Sequence, residues 1–143
     1  TNPTPGVGGT GGWWSFTAED QAQRSGTLTA MDVATGKIRW QVKTENLAYA
    51  GTCTTAGDLL FTGEMDNNRD APLVPKTYFA AYDVQSGGRL FRFPIPGDVA
   101  VWAPCVTYAV DGEQFVAVSA GGTIGDLSKG DAIFVFGLPR GKK

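Results

Sequence analysis

From residue 26 onward the apolar positions recur every second residue. Ile38, Trp40 and Val42 fall on one side of an extended chain, as do Phe91 and Phe93, and Phe115, Ala117 and Ser119 alternate with Val116 and Val118. That is the spacing of strands with one face turned to a core, not the 3.6-residue spacing of a helix. Further strand candidates lie at 52–56, 59–63, 103–109, 114–119 and Asp131 to Gly137. Val110-Asp111-Gly112-Glu113 separates two apolar runs, and Asp-Gly is a strong hairpin signal because both central residues accept positive φ. The pattern therefore pairs 103–109 with 114–119. Ala18 to Arg24, the helical candidate, is polar all round and too short to stand alone. The fold class predicted is all-β.

An internal repeat refines this. Gly26-Thr-Leu-Thr-Ala30-Met-Asp32-Val-Ala-Thr35-Gly36-Lys-Ile-Arg-Trp40 returns 51 residues later as Thr77-Tyr-Phe-Ala-Ala81-Tyr-Asp83-Val-Gln-Ser86-Gly87-Gly-Arg-Leu-Phe91. Each shared position has a mechanical use: the Asp carboxylate and the Thr or Ser hydroxyl can accept turn N–H bonds, and Gly supplies positive φ. The small Ala allows close approach of a neighbouring sheet, and the aromatic after the turn has area to bury against it. Both Trp40 and Phe91 are expected between sheets. Two strand candidates follow each hairpin, so a repeat holds about four strands, as a propeller blade does, and Asp131 to Gly137 would begin a third sheet.

Composition narrows the chemistry. The 143 residues are 42% hydrophobic and 18% charged, with 20 glycines, a formal charge of −2 and no histidine. One domain with many turns fits that balance. Without an imidazole, the chain alone cannot build a Ser-His-Asp triad, a Cys-His nucleophile pair or a His-containing zinc site. Cys53 and Cys105 are too far apart in sequence for a Cys-x-x-Cys pair. Arg140, Lys142 and Lys143 are the only basic cluster, so no nucleic-acid footprint is predicted. No apolar run approaches the length of a membrane span, and the first residues lack the basic and apolar regions of a signal peptide.

Residues 1–25 read as a Gly/Pro-rich loop and lead-in, and 26–143 as the structured part. The stretch Gly6-Val7-Gly8-Gly9-Thr10-Gly11 formally matches a dinucleotide fingerprint. That motif works only between a strand and a helix N-terminus, and the five preceding residues, two of them proline, cannot make the strand. Glu64-Met-Asp66-Asn-Asn68-Arg-Asp70 starts like a calcium loop, yet Ala71 stands where Gly is needed and Thr77 where Glu is needed. With Pro72 and Pro75 following, 64–77 is read as a solvated insertion loop, and no metal ligands are assigned to the chain.

Ala30-Met-Asp32-Val-Ala-Thr35-Gly36-Lys-Ile-Arg-Trp40 resembles the tryptophan-docking motif of the pyrroloquinoline quinone (PQQ) dependent alcohol and methanol dehydrogenases. Thr55-Ala56-Gly57-Asp58-Leu59-Leu60-Phe61-Thr62-Gly63 is similar to a second stretch of that family, and the run from Pro104 through Thr107-Tyr108, Asp111-Gly112 and Gln114-Phe115 to Val118 to a third. Gly130 to Pro139 resembles its closing strand. The resemblance is to the family's C-terminal part. It implies about two and a half four-stranded blades of an eight-bladed propeller, with docking motifs at 26–40 and 77–91, in a periplasmic or secreted protein.

For function the resemblance implies oxidation of a primary or secondary alcohol by PQQ beside Ca²⁺ or a lanthanide, with an electron acceptor such as a cytochrome c. No counterpart of the family's catalytic base, metal ligands or adjacent-cysteine disulfide is found in this chain, so no catalytic residue is assigned. Tyr49-Ala50-Gly51 falls where many members carry a Trp-Gly-Gly stretch near the cofactor. Trp102 and Ala103 occupy the equivalent point of the next repeat, giving Tyr49, Ala50, Gly51, Trp102 and Ala103 as candidate cofactor contacts. Cys53 and Cys105 follow the two axial aromatics by three or four residues. Both would lie on inner strands of adjacent blades, where a disulfide is open if the Cα atoms come within ~7 Å. The remaining blades are expected from an N-terminal section or companion chain of the same dehydrogenase. The alternative is a non-catalytic propeller of the same type acting as a protein-interaction scaffold.

Overall fold

The structure, a computed structural model, describes residues 25–46, 48–66, 76–97, 99–121 and 130–138. The lead-in, the helical candidate and the glycine-rich stretch lie outside the described residues. Among the described residues nine strands form three antiparallel sheets. The first sheet is the hairpin β1 (Gly26–Met31) and β2 (Ile38–Thr44). The second runs β3 (Thr52–Thr54), β4 (Leu59–Asp66), β5 (Lys76–Asp83), β6 (Arg89–Pro94), each strand beside the next. The third runs β7 (Val106–Val110), β8 (Glu113–Gly121), β9 (Asp131–Gly137). Among the described residues no helix is long and apolar enough to cross a membrane.

The all-β expectation holds, but the grouping of strands differs. The hairpin at 26–44 does not share a sheet with 52–63; those strands join the second hairpin, with Phe61 beside Ala81 and Gly63 beside Phe79. The four-stranded unit therefore ends with its Asp-Gly hairpin instead of opening with it. Likewise, Asp131 to Gly137 does not begin a sheet but joins the third, pairing along β8 from Phe115↔Gly137 to Gly121↔Asp131. A repeat in sequence fixes the period and leaves the phase open, and here pairing across the 67–75 connection sets the phase.

Local turn chemistry follows the repeat. Asp32 Oδ1 accepts the Ala34 and Thr35 N–H groups and the Thr35 hydroxyl, at 3.1, 2.9 and 2.9 Å. Asp83 Oδ1 does the same for Gln85, Ser86 and the Ser86 hydroxyl, at 3.1, 2.7 and 2.7 Å. These hydrogen bonds, the hydroxyl's first, hold both carboxyls below the usual carboxylate range. The third hairpin turns at Asp111 and Gly112, with φ of 51° and 79°, and β7 pairs with β8 as the sequence predicts.

The core lies between the second and third sheets. Phe61, Phe79 and Ala81 from one meet Val116, Val118 and Ala120 from the other, with Phe93, Phe134 and Phe136 packed at the margin. Phe79 stacks on Phe61 and Phe136 at centroid distances of 5.7 and 5.2 Å. The opposite face of the third sheet leaves Val106, Tyr108, Ile133 and Val135 exposed.

Candidate functional site

Two irregular segments, 48–51 before β3 and 99–105 before β7, carry all five sequence-predicted contacts. The structure brings them together. The Tyr49 and Trp102 rings lie 5.5 Å apart, tilted by 42°. The Gly51 N–H donates to the Trp102 carbonyl at 3.0 Å, and a side chain at Gly51 would press on Pro104 at 2.8 Å. Gly51 is thus the residue that lets the two segments touch. Ala50 and Val101 close in on Gly63 of β4, where an added Cβ would stand 2.9 and 2.8 Å from theirs. Ala103 follows Trp102 in the same segment, half-buried.

The aromatic pair has one uncompensated polar atom. The Trp102 indole N–H is buried and has no hydrogen-bond partner among the described residues. Buried donors are nearly always satisfied, so a lone one at a wall of exposed aromatic surface fits a ligand acceptor. Tyr49 is 52% exposed, which leaves its ring free to cover a planar molecule. A flat, oxygen-rich quinone such as PQQ suits such a donor set, with ring faces for stacking and an indole N–H for an oxygen.

Cys53 on β3 and Cys105 just before β7 are joined in a disulfide, with Cα atoms 5.8 Å apart. The bond ties the edge strand of the second sheet to that of the third, beside the Tyr49–Trp102 pair. The cysteine spacing of 52, one more than the sequence period, was the available signal.

A second constellation escaped the sequence reading. Glu64, on β4, is not on a solvated loop: its side chain is 5% exposed. One oxygen accepts from Arg92 Nε at 2.8 Å and Arg89 Nη1 at 3.3 Å, and the other from the Tyr82 hydroxyl. Arg92 also donates to Asp66 and lies 3.5 Å over the Tyr78 ring. Burial opposes the Arg92 charge, but hydrogen bonding to Asp66 and the fields of Glu64 and Asp66 outweigh it and raise its pKa. Burial and then the Asp66 charge raise the Tyr78 phenol. The strand pairing runs to Asp66↔Lys76, so the insertion begins after Asp66 and ends before Lys76. Asn68, Asp70, Ala71, Pro72 and Pro75 lie outside the described residues. Among the described residues no group of three or more Cys, Asp or Glu gathers as a metal set.

Beside this network a cavity of about 340 Å³ separates β2 from β4 and β6, lined by Thr44, Glu45, Met65 and Gly87 among others. Trp40 closes the same inter-sheet space: it is half-buried, and its indole N–H donates to the Val84 carbonyl at 2.7 Å. Gly87, at φ 72°, lies under the Trp40 ring, where a Cβ would come within 2.7 Å. Phe91 departs from its expected burial at 43% exposure, meeting Phe136 edge-on at 5.9 Å.

Antiparallel sheets stacked face to face, joined at neighbouring edges by irregular segments that converge on an aromatic pair, define part of a β-propeller. Comparison with known proteins gives the kind. No family model matches the chain. Over 127 aligned residues it is 34% identical to the quinoprotein ethanol dehydrogenase of Pseudomonas aeruginosa and 32% identical to the quinoprotein alcohol dehydrogenase PedE of Pseudomonas putida. Both matches take in 80% of this chain and 18% of the relative. The solved quinohemoprotein alcohol dehydrogenase from Comamonas testosteroni superposes with a TM-score of 0.61 at 28% identity, over 79% of this chain and 16% of that one. In sequence and fold the chain belongs to the quinoprotein alcohol dehydrogenase family. It spans less than a fifth of the length of these relatives.

Proposed function

We propose that this chain forms one wall of the PQQ site in a PQQ-dependent alcohol dehydrogenase oxidising a primary or secondary alcohol. The observation that carries this reading is the meeting of Tyr49 and Trp102 from two separate segments, with the buried Trp102 N–H left without a partner. When bound, PQQ supplies the two-electron acceptor for alcohol oxidation. Tyr49 covers it, Trp102 offers the N–H, and Gly51 holds the two segments at contact distance. The catalytic base and the Ca²⁺ or lanthanide ligands come from another part of the enzyme. An acceptor such as a cytochrome c then takes the electrons.

The length of the relatives and the exposed apolar face of the third sheet support a larger assembly in which further blades cover Val106, Tyr108, Ile133 and Val135. An N-terminal section or companion chain of the same dehydrogenase would supply them. The Cys53–Cys105 disulfide supports a periplasmic or secreted location, because such bonds persist in oxidising compartments. In the intact protein, Tyr49→Ala should lower the PQQ retained after gel filtration, whereas Asp66→Ala should leave retention and turnover near wild type. Retention unchanged in Tyr49→Ala and in Trp102→Phe would contradict the assignment, and a protein that binds no PQQ would favour the scaffold reading.

A further inference from the structure

Neither 48–51 nor 99–105 belongs to a strand, so the residues that carry Tyr49 and Trp102 have no ladder of hydrogen bonds to fix them. Tyr49 is half open to solvent, and packing does not immobilise its ring. Hydrogen bonds tie the two segments to each other and to the sheets. Gly51 N–H reaches the Trp102 carbonyl, the Thr62 hydroxyl reaches the Gly51 carbonyl at 3.3 Å, Gly121 N–H reaches the Ala100 carbonyl at 3.0 Å, and the Thr77 hydroxyl donates to the Val99 carbonyl. Val99, Ala100 and Val101 are buried, so 48–51 is the more open of the two segments, and single hydrogen bonds at such irregular, partly exposed backbone open readily. The Cys53–Cys105 bond is the one covalent link, placed four residues after Tyr49 and three after Trp102.

We propose that the Cys53–Cys105 disulfide is a positioning device for the Tyr49–Trp102 pair, holding the two rings at the spacing and tilt in which they can receive a planar ligand. The link acts along the shortest covalent route between the rings. With it intact, segment 48–51 cannot slide past segment 99–105; opened, the two segments are held together by the Gly51–Trp102 hydrogen bond and by packing. Cys105 is buried in the apolar core, and Cys53 is half-buried. A dithiol reductant opens the bond by passing two electrons and two protons to it, giving two thiols and the oxidised cyclic reductant. The ligand-binding consequence rests on the reading of the pair as a PQQ wall; the positioning itself does not.

A purely structural staple would also stabilise the sheets, so the test must read the rings. The intact protein containing this chain is labelled with fluorotryptophan, and the Trp102 fluorine resonance is assigned by its loss in Trp102→Phe. Tyr49→Ala marks where that resonance lies once its partner ring is gone. In ligand-free protein, dithiothreitol or the paired substitution Cys53→Ala with Cys105→Ala should move the Trp102 resonance toward the Tyr49→Ala position while the Trp40 resonance stays. PQQ retention should fall about tenfold as preorganisation is lost. A Trp102 resonance that does not move in folded, reduced protein overturns the proposal, even if the thermal midpoint has dropped. A resonance that moves with PQQ retention unchanged upholds the positioning role and overturns the cofactor-wall reading. If the double variant does not fold, wild-type protein reduced below its thermal midpoint gives the same two answers.

Discussion

The two faces of the four-stranded sheet are built from the same strands and do different work. One presents Phe61, Phe79 and Phe93 to the third sheet and closes into an apolar core. The other presents Glu64, Tyr82 and Arg92 toward the first hairpin, whose Trp40 indole donates to the Val84 carbonyl. Alternation along β4 separates them: Phe61 and Gly63 point one way, Thr62 and Glu64 the other. The difference shows that a sheet stacked on both sides need not be apolar on both. A buried carboxylate is tolerated when every oxygen is matched by a donor, and here two arginines and a tyrosine supply the match.

The comparison is broken most severely by Phe79→Ala. That ring is 1% exposed and stacked on both sides, so its loss should cost about 3–5 kcal/mol, read as a lower denaturant midpoint. Glu64→Ala should cost about 3 kcal/mol, at the lower end for a broken buried pair because Arg89 and Arg92 keep some access to water. If Glu64→Ala proved neutral, the charged face would be no more than surface. Trp40→Phe keeps an aromatic ring but removes the donor to Val84, and should cost about 1 kcal/mol. Replacing Gly87 by Ala would separate ring contact from hydrogen bond, since the added methyl drives into the indole while the Val84 carbonyl is untouched.

The smallest effect is on pH dependence. Asp32 and Asp83 have folded pKa values below their unfolded ones, the hydroxyl bonds from Thr35 and Ser86 being the main cause. Their contribution to stability is therefore complete above the unfolded value and is lost as pH falls through the folded one. Thermal midpoints should be flat near neutrality and decline below about pH 4. Asp83→Asn should flatten part of that decline; an unchanged slope would mean the turns do not report on folding.

What the sequence made legible follows from how local each feature is. Asp-x-x-Thr/Ser-Gly turns and the Asp111-Gly112 hairpin involve residues a few positions apart, and they form as their patterns predict. Tyr49 is placed by the resemblance of 49–51 to the family's Trp-Gly-Gly stretch and Trp102 by its equivalent point in the next repeat, and their rings do meet. The strand grouping was misjudged because a repeat can be cut at any phase. Glu64 was read as part of a solvated loop because its partners Tyr82, Arg89 and Arg92 sit on neighbouring strands. They become visible only once register is known, and the signal was the alternation of Leu60, Thr62, Glu64 and Asp66 along one side of β4. Phe91 looked equivalent to Trp40, yet the two differ in what covers them, which no residue within the motif encodes.

The central claim is that Tyr49 and Trp102 bound the PQQ site. A crystal structure of the intact protein grown with PQQ tests it most directly. The account predicts a tricyclic quinone against the Tyr49 and Trp102 rings, with one of its oxygens within hydrogen-bond distance of Trp102 Nε1. A quinone bound elsewhere, with the Trp102 N–H still unpartnered, would contradict it.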